Sequence, residues 1–424
     1  MQADNLRHVN ATRLKEDGMV RGRWRIAASI GMFVALFLLV AGTIGAQSPD
    51  QNDNDYFVYL PLVAREYDPT WAWREGITVT LTPSYGGLLM AIDRQGRVHL
   101  LWHPSFSSPK FIYHTYLSPS GWTSPTVVAP SLGSSEVLYP PVVAPDGVIH
   151  LLWRNRKTSN DPQRMLYAAF TGNGWTSEEE VFQSRFSYTY LQGMVHLDTS
   201  GVPHATMLDC SFFYCDVYHT VRRGNWQPAI QIALPIYSNW VWPDRWGGVH
   251  FYGNDYSDPP KLYYSYWRDG QFQTLDRFVG NLKVSGRNTQ LDGQNNLHIF
   301  WTDWVPVPGG QVTGLYYQCL AQNMTASPAE VLSGYSSVSN VVKGAGYTGW
   351  VAVAWQETES SVKRVRVGVW DGCSRIYLKT LPGGDSWQGL QAVSVSENPA
   401  MVCVLGRRSS LSEVLEVTCA DIRR

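Results

Sequence analysis

The sequence predicts an all-β fold, a seven-bladed β-propeller of four-stranded antiparallel blades behind one hydrophobic N-terminal segment. Three observations carry this reading. A strand phrase recurs at steps of about 46 to 54 residues, a period in the range of propeller blades. Each copy is followed by a Tyr-rich strand, a Gly-Trp type turn and two short apolar runs, which makes four strands per repeat. Aromatic residues reach 13%, with 37 Gly and 24 Pro, a mix that favours short strands and tight turns over long helices.

The first element is an address. Residues 1–25 are polar and carry Arg7, Arg13, Lys15, Arg21, Arg23 and Arg25, and residues 26–46 hold no charge. As a helix, that uncharged run spans about 31 Å at 1.5 Å per residue, enough to cross a hydrocarbon core. The basic flank predicts a cytoplasmic N-terminus and an exported body. Small residues near Ala46 fit a cleaved signal peptide. The long polar lead and the poor fit of Ile44 to a cleavage site fit an uncleaved anchor, which would tether the protein to the membrane through residues 26–46. Both alternatives place the body outside the cytoplasm, extracellular or at the cell surface. Residues 47–70 then read as a linker, polar at first and with a short apolar stretch at residues 56–63.

The propeller is expected over residues 71–424. Its phrase reads Asp93-Arg94-Gln95-Gly96-Arg97-Val98-His99-Leu100-Leu101-Trp102, then Asp146-Gly147-Val148-Ile149-His150-Leu151-Leu152-Trp153, and again Asn295-Asn296-Leu297-His298-Ile299-Phe300-Trp301. Weaker copies begin at Asp198 and Gly247, residues 349–355 keep the frame without His, and residues 399–404 form a degenerate last copy. The Asp-x-x-Gly element supplies the turn between the first two strands, since Gly takes positive φ at little cost. A twisted four-stranded sheet cannot cover its own two faces, and radial packing of such sheets buries both and leaves few edges exposed. The last copy lacks a fourth strand, whereas residues 77–81 have no blade of their own, so they are expected to complete the last blade and close the ring. Six blades with a loose tail is the alternative.

The repeat resembles the sialidase-like propeller families, whose members carry similar Asp-x-x-Gly, Val-His and Trp strands. The resemblance covers residues 71–424 and implies the fold. The Ser-x-Asp-x-Gly-x-Thr-Trp box and the early Arg-x-Pro segment of true sialidases are absent from this sequence, so the resemblance implies little about activity.

All six cysteines lie in the exported part, and an even count in an oxidising compartment predicts disulfides. Cys403 and Cys419 flank an apparent hairpin, and Cys210 and Cys215 are placed to close a small loop. Zinc is the rival, but no Cys-x-x-Cys pair is present and no His pair sits beside the cysteines. His99, His150, His204, His250 and His298 share one repeat position on the second strand. They should not converge on the axis, and are expected to pack between sheets and bond a neighbouring strand. Trp102, Trp153, Trp301 and Trp355 read as inter-blade core. No metal and no cofactor is expected.

Function on a repeated scaffold belongs to the irregular loops. Loops from second to third strand, and from fourth strand to the next blade, share one face. The candidate ligand-binding residues there are Arg154, Tyr188, Tyr237, Trp240, Trp242, Arg287, Trp304 and Trp387. Aromatic planes beside Arg, Asp and Asn suit a sugar, stacking on its apolar face and bonding its hydroxyls. The alternative is an ordinary wet surface. Glycoside hydrolysis needs a held pair of carboxylates, and Asp255 and Glu357 are the weak candidates, without a motif that pairs them. The expected role is an exported, monomeric module that binds a glycan or a surface protein, with a sialidase-like hydrolase as the alternative. A net charge of -1 with 16% charged residues argues against a nucleic-acid partner held by counterion release.

Overall fold

The computed structural model describes residues 73–422 apart from short stretches at 82–84, 105–109, 133–136, 159, 187–189, 212–214, 234–239, 255–260, 281–288, 308–309, 323–324, 334–336, 360 and 409–413. They form seven antiparallel sheets. From the axis outward, the first blade is Tyr85–Ile92, Val98–Pro104, Lys110–Ser118 and Thr126–Leu132. The second begins with the short pieces Val137–Leu138 and Val142–Val143 and continues through Ile149–Asn155, Arg164–Phe170 and Glu179–Gln183. The third is Tyr190–Leu197, Pro203–Cys210, Cys215–Arg223 and Ile230–Ile232, with Asn225–Trp226 beside it. The fourth is Trp240–Pro243, Val249–Asn254, Leu262–Arg268 and Gln271–Gly280. The fifth is Thr289–Leu291, Leu297–Val307, Gly310–Leu320 and Glu330–Ser333. The sixth is Ser337–Ala345, Trp350–Glu359, Val362–Asp371 and Ser374–Thr380.

The seventh blade settles the count. Gly389–Glu397, Ala400–Arg407 and Val414–Asp421 come from the C-terminal end, and Ile77–Thr80 supplies the fourth strand. Ile77 pairs Val417 and Thr80 pairs Val414, so both ends of the described chain share one sheet. The six-bladed alternative is thereby excluded. The ring closes through the apolar cluster of Val79, Leu81, Met90, Leu100, Met401, Leu405 and Leu415, which joins the seventh blade to the first.

The repeat phrase turns out to be a hydrogen-bonded unit. Asp93 Oδ1 accepts from the backbone N–H of Gln95 and Arg97, which fixes the turn, while Oδ2 lies 3.1 Å from His99 Nε2. His99 Nδ1 in turn meets His114 Nε2 at 2.9 Å on the third strand. The same relay recurs as Asp198–His204–His219, Asp244–His250–Tyr264 and Asp292–His298–Tyr317. In the second blade Ala144 replaces the Asp, and His150 keeps only the Tyr167 hydroxyl at 2.7 Å. The histidines are therefore structural, tying turn, second strand and third strand together where each sheet is buried. Gly96 and Gly201 adopt φ of 74° and 78° at the turn, where a Cβ would be strained.

Trp102, Trp153 and Trp355 are fully buried between blades. Trp301, expected to join them, is only half-buried and stacks on Tyr316 with ring centroids 5.3 Å apart. Both expected disulfides form, Cys403–Cys419 across the closing blade and Cys210–Cys215 across a hairpin. A third, Cys319–Cys373, joins the fifth blade to the sixth. Three disulfides point to an oxidising, extracellular setting. Residues 26–46 lie outside the described residues. Among the described residues no helix is long and apolar enough to cross a membrane.

Candidate functional site

Each innermost strand hydrogen-bonds only outward, so its other backbone edge faces the axis. The result is a central channel of about 560 Å³ lined by first strands of all seven blades. Its end on the Asp-x-x-Gly turn side carries a strut. Tyr347, in the turn of the sixth blade, donates its hydroxyl to the backbone oxygen of Asp198 in the turn of the third, at 3.0 Å. The Arg245 guanidinium of the fourth blade lies 5.3 Å from the Tyr347 ring centroid and donates to the Gly293 carbonyl of the fifth.

Among the charged side chains of the described lining, Arg94 and Lys343 are basic and Glu397 is acidic. Lys343 Nζ donates to the Thr289 carbonyl and lies 5.9 Å from the Trp242 ring centroid. Burial pushes its ammonium down to about 7. His196 also lines the channel, and its Nε2 is shielded from water with no hydrogen-bond partner among the described residues. Burial, opposed by the nearby Asp244 charge, holds its imidazole down at about 4. Glu397 is the one carboxylate among the described lining residues, and its Oε1 accepts from the Thr348 and Trp350 backbone N–H.

Two features stand on the loop-rich side. At the second and third blades, Arg154 is buried, donates to the Leu191 carbonyl at 3.1 Å, and sits 5.5 Å over the ring of Tyr190, which is 52% exposed. Among the described residues no carboxylate pairs with Arg154, so its charge faces only carbonyl and ring partners. Diagonally opposite, the second strand of the fifth blade runs for 11 residues where that of the second blade runs for 7. Four extra residues lift this hairpin roughly 13 Å further at about 3.3 Å per residue. The sixth blade's hairpin is nearly as tall, with 10 residues. Phe300 packs toward the sixth blade, so by strand alternation Trp304 points to the same side. Glu357 projects from the sixth blade into the same interblade space, on the side of Val353 and Trp355.

The structure distributes the sequence candidates unevenly. Trp304 is 64% exposed near the tip of its hairpin, as a ligand-contacting residue requires. Trp242 lies on an innermost strand and lines the channel wall, mostly buried. Trp240 occupies the same strand. Trp387 is delivered by a short 3-10 turn, Gly384–Ser386, into the core of the sixth and seventh blades. A Cβ at Gly406 would come within 2.0 Å of the Trp387 ring, so that glycine makes room for it. Glu357 is buried too, accepting from Ser333 Oγ and Trp355 Nε1 and facing Arg366 at 3.7 Å. Tyr188, Tyr237, Arg287 and Asp255 lie outside the described residues. Tyr190, Lys343, His196 and Tyr347 were not among the candidates. They sit on innermost strands or short turns, outside the irregular loops. Among the described residues no group of three His, Cys, Asp or Glu is placed to hold a metal ion.

The chain matches no protein-family model and no curated protein. Solved structures match it in fold. An ulvan lyase from a new polysaccharide lyase family is 10% identical, covering 81% of this chain and 95% of its own, with a TM-score of 0.50. An α-L-arabinanase from Penicillium chrysogenum, solved with arabinobiose, is 12% identical over 82% of this chain and 98% of its own, with a TM-score of 0.43. A subtype N10 neuraminidase-like protein of a little yellow-shouldered bat isolate is 10% identical over 73% and 99%, with a TM-score of 0.40. The resemblance to sialidase-like propellers holds, at the level of fold alone.

Proposed function

We propose that this protein is an exported surface module that binds a glycan carrying anionic groups at the loop-rich mouth of its central channel. The observation that carries the reading is the buried cation at that mouth. Arg154 is buried there with no carboxylate partner among the described residues, and the one described carboxylate of the channel lining, Glu397, is held by two backbone N–H groups. A buried cation without a counter-ion is destabilising until an anion arrives, which favours a sulfated or carboxylated sugar over a neutral one. Tyr190 and Trp304 add exposed aromatic planes on either side for ring stacking. Three disulfides suit the proposed location, and tethering through residues 26–46 is part of the proposal.

Binding is favoured over hydrolysis because a glycosidase needs two carboxyl groups about 5 to 10 Å apart across the bond it cuts. Glu357, one of the two weak candidates, is committed to Ser333, Trp355 and Arg366. The test is retention of the purified full chain on immobilised neutral and acidic polysaccharides. Retention on the acidic polymers, weakened by added salt and reduced several-fold in Trp304→Ala, is expected. Failure to retain on any of them sinks the reading, and turnover of fluorogenic aryl glycosides replaces it with the hydrolase.

A further inference from the structure

A second cavity lies away from the axis, at the outer rim between the second and third blades. It is an open groove of about 460 Å³. Phe182 and Trp226 form its apolar part, and Glu180, Gln183, Arg185 and Gln227 line it with polar groups. A β-bulge opens it. Met165 pairs Phe182 but Leu166 pairs Glu180, so Val181 is an extra residue in the outer strand of the second blade. Val181 turns into the core while Phe182 packs on Tyr218, ring centroids 4.5 Å apart. Bulges re-aim side chains in this way and are frequent beside sites.

Arg185 is held in place from below. Its backbone N–H donates to Asp209 Oδ2 at 3.2 Å, and the Oγ of the preceding Ser184 donates to Asp209 Oδ1 at 2.7 Å. Asp209 is fully buried, and the adjacent Cys210–Cys215 disulfide locks the hairpin that carries it. The guanidinium lies 5.0 Å over the Tyr218 ring and donates through Nη2 to Gln231 Oε1 at 3.3 Å. Its remaining N–H groups meet no protein acceptor among the described residues, and are available for a pair of neighbouring hydroxyls.

We propose that this rim groove between the second and third blades is a binding site for a neutral hexopyranose, separate from the channel mouth. Its chemistry selects that class. Glu180 is paired with Arg164 at 3.3 Å and Arg185 stands over the buried carboxylate of Asp209, so the site has no net charge to attract an anion. Two glutamine amides offer both donors and acceptors, the pattern a ring of hydroxyls needs. The apolar floor takes the C–H face of the sugar. The volume is within the range of small-ligand sites, roughly 300 to 1,000 Å³.

The test is saturation-transfer NMR on the full chain with the methyl pyranosides of glucose, galactose, mannose, fucose and glucuronic acid. At least one neutral glycoside is expected to bind in the millimolar range, with methyl glucuronide no tighter than methyl glucoside. Arg185 and Gln183 are both exposed, so Arg185→Ala combined with Gln183→Ala leaves the fold intact and should weaken binding at least tenfold, whereas Trp304→Ala should leave it unchanged. Absence of saturation by every neutral glycoside overturns the proposal, as does unaltered binding in the double variant. Loss of glycoside binding in Trp304→Ala alone moves the sugar to the channel mouth and removes the groove. Loss of acidic-polysaccharide retention with glycoside binding intact removes the channel reading and leaves the groove standing.

Discussion

Tyr347 and Asp198 belong to blades three places apart in a ring of seven, yet the Tyr347 hydroxyl donates to the Asp198 carbonyl oxygen. The bond spans the turn-side end of the channel, and Arg245 ties the same tyrosine to the turns of the fourth and fifth blades. Removing the hydroxyl should cost about 1 kcal/mol, the net value of one neutral hydrogen bond. Tyr347→Phe is therefore expected to lower the urea midpoint slightly with an unchanged slope. Tyr347→Ala should lower it further, because the ring that Arg245 stacks on goes as well. Equal midpoints in both variants and the parent would show that the strut contributes nothing to closure.

The seventh blade makes a sharper claim, that four N-terminal residues hold the ring shut. Val79 is 6% exposed and packs with Leu415, Val417 and Met401, whereas Thr78 on the same strand faces solvent. Val79→Ala deletes two buried methyl groups and should destabilise by about 2 kcal/mol, transfer and cavity terms together. Thr78→Ala should stay within about 0.5 kcal/mol. Chemical denaturation distinguishes them, and similar losses for both would mean that strand pairing rather than burial secures the closure.

The three disulfides should not be equivalent. Cys319–Cys373, Cys403–Cys419 and Cys210–Cys215 close segments of 54, 16 and 5 residues. Chain-entropy arithmetic gives about 4, 3 and 2 kcal/mol respectively. Paired Cys→Ala variants should therefore rank in that order by thermal midpoint, the interblade bridge first. The reverse ranking would mean that local strain or residual unfolded structure outweighs loop entropy here.

The fold was legible because each blade repeats its own physics. The Asp of the turn, the His six residues on and the third-strand aromatic form one bonded unit, so the motif survives wherever the unit does. It fades in the sixth blade, where Gly346 occupies the Asp position and apolar packing of Trp350 and Trp355 carries the strand instead. The site was less legible. Trp387 lies in a Gly-rich connection and reads as a surface aromatic, and only the bare backbone at Gly406 shows that it fills the core. Lys343 and His196 sit in strand patterns that resemble any inner strand, and what distinguishes them is convergence on an axis that no single repeat encodes. Arg154 reads from the sequence as part of the loop after the second strand, whereas the structure places it inside that strand, Ile149–Asn155.

The histidine relays predict how stability should vary with pH. Burial holds His114 down at about 3 and His150, His196 and His219 down at about 4; neighbouring cationic or histidine groups add to the shift at all four, while Asp146 opposes it at His150 and Asp244 at His196 and His219. Unfolded histidines titrate near 6.5. Between the two values the unfolded chain binds more protons than the folded one, so acid favours unfolding. Stability should be full above about pH 6.5 and fall as pH drops toward about 4, each such group adding a slope of up to about 1.4 kcal/mol per pH unit. His196 isolates one contribution, because its Nε2 has no hydrogen-bond partner to lose among the described residues. His196→Leu should leave stability at pH 7.5 nearly unchanged and make the decline between pH 6.5 and 4.5 shallower. Urea titrations at four pH values measure both slopes. A parent protein equally stable at pH 7 and pH 5 would mean that these imidazoles reach water or protons in the folded ring, and that the blades are looser than their packing implies.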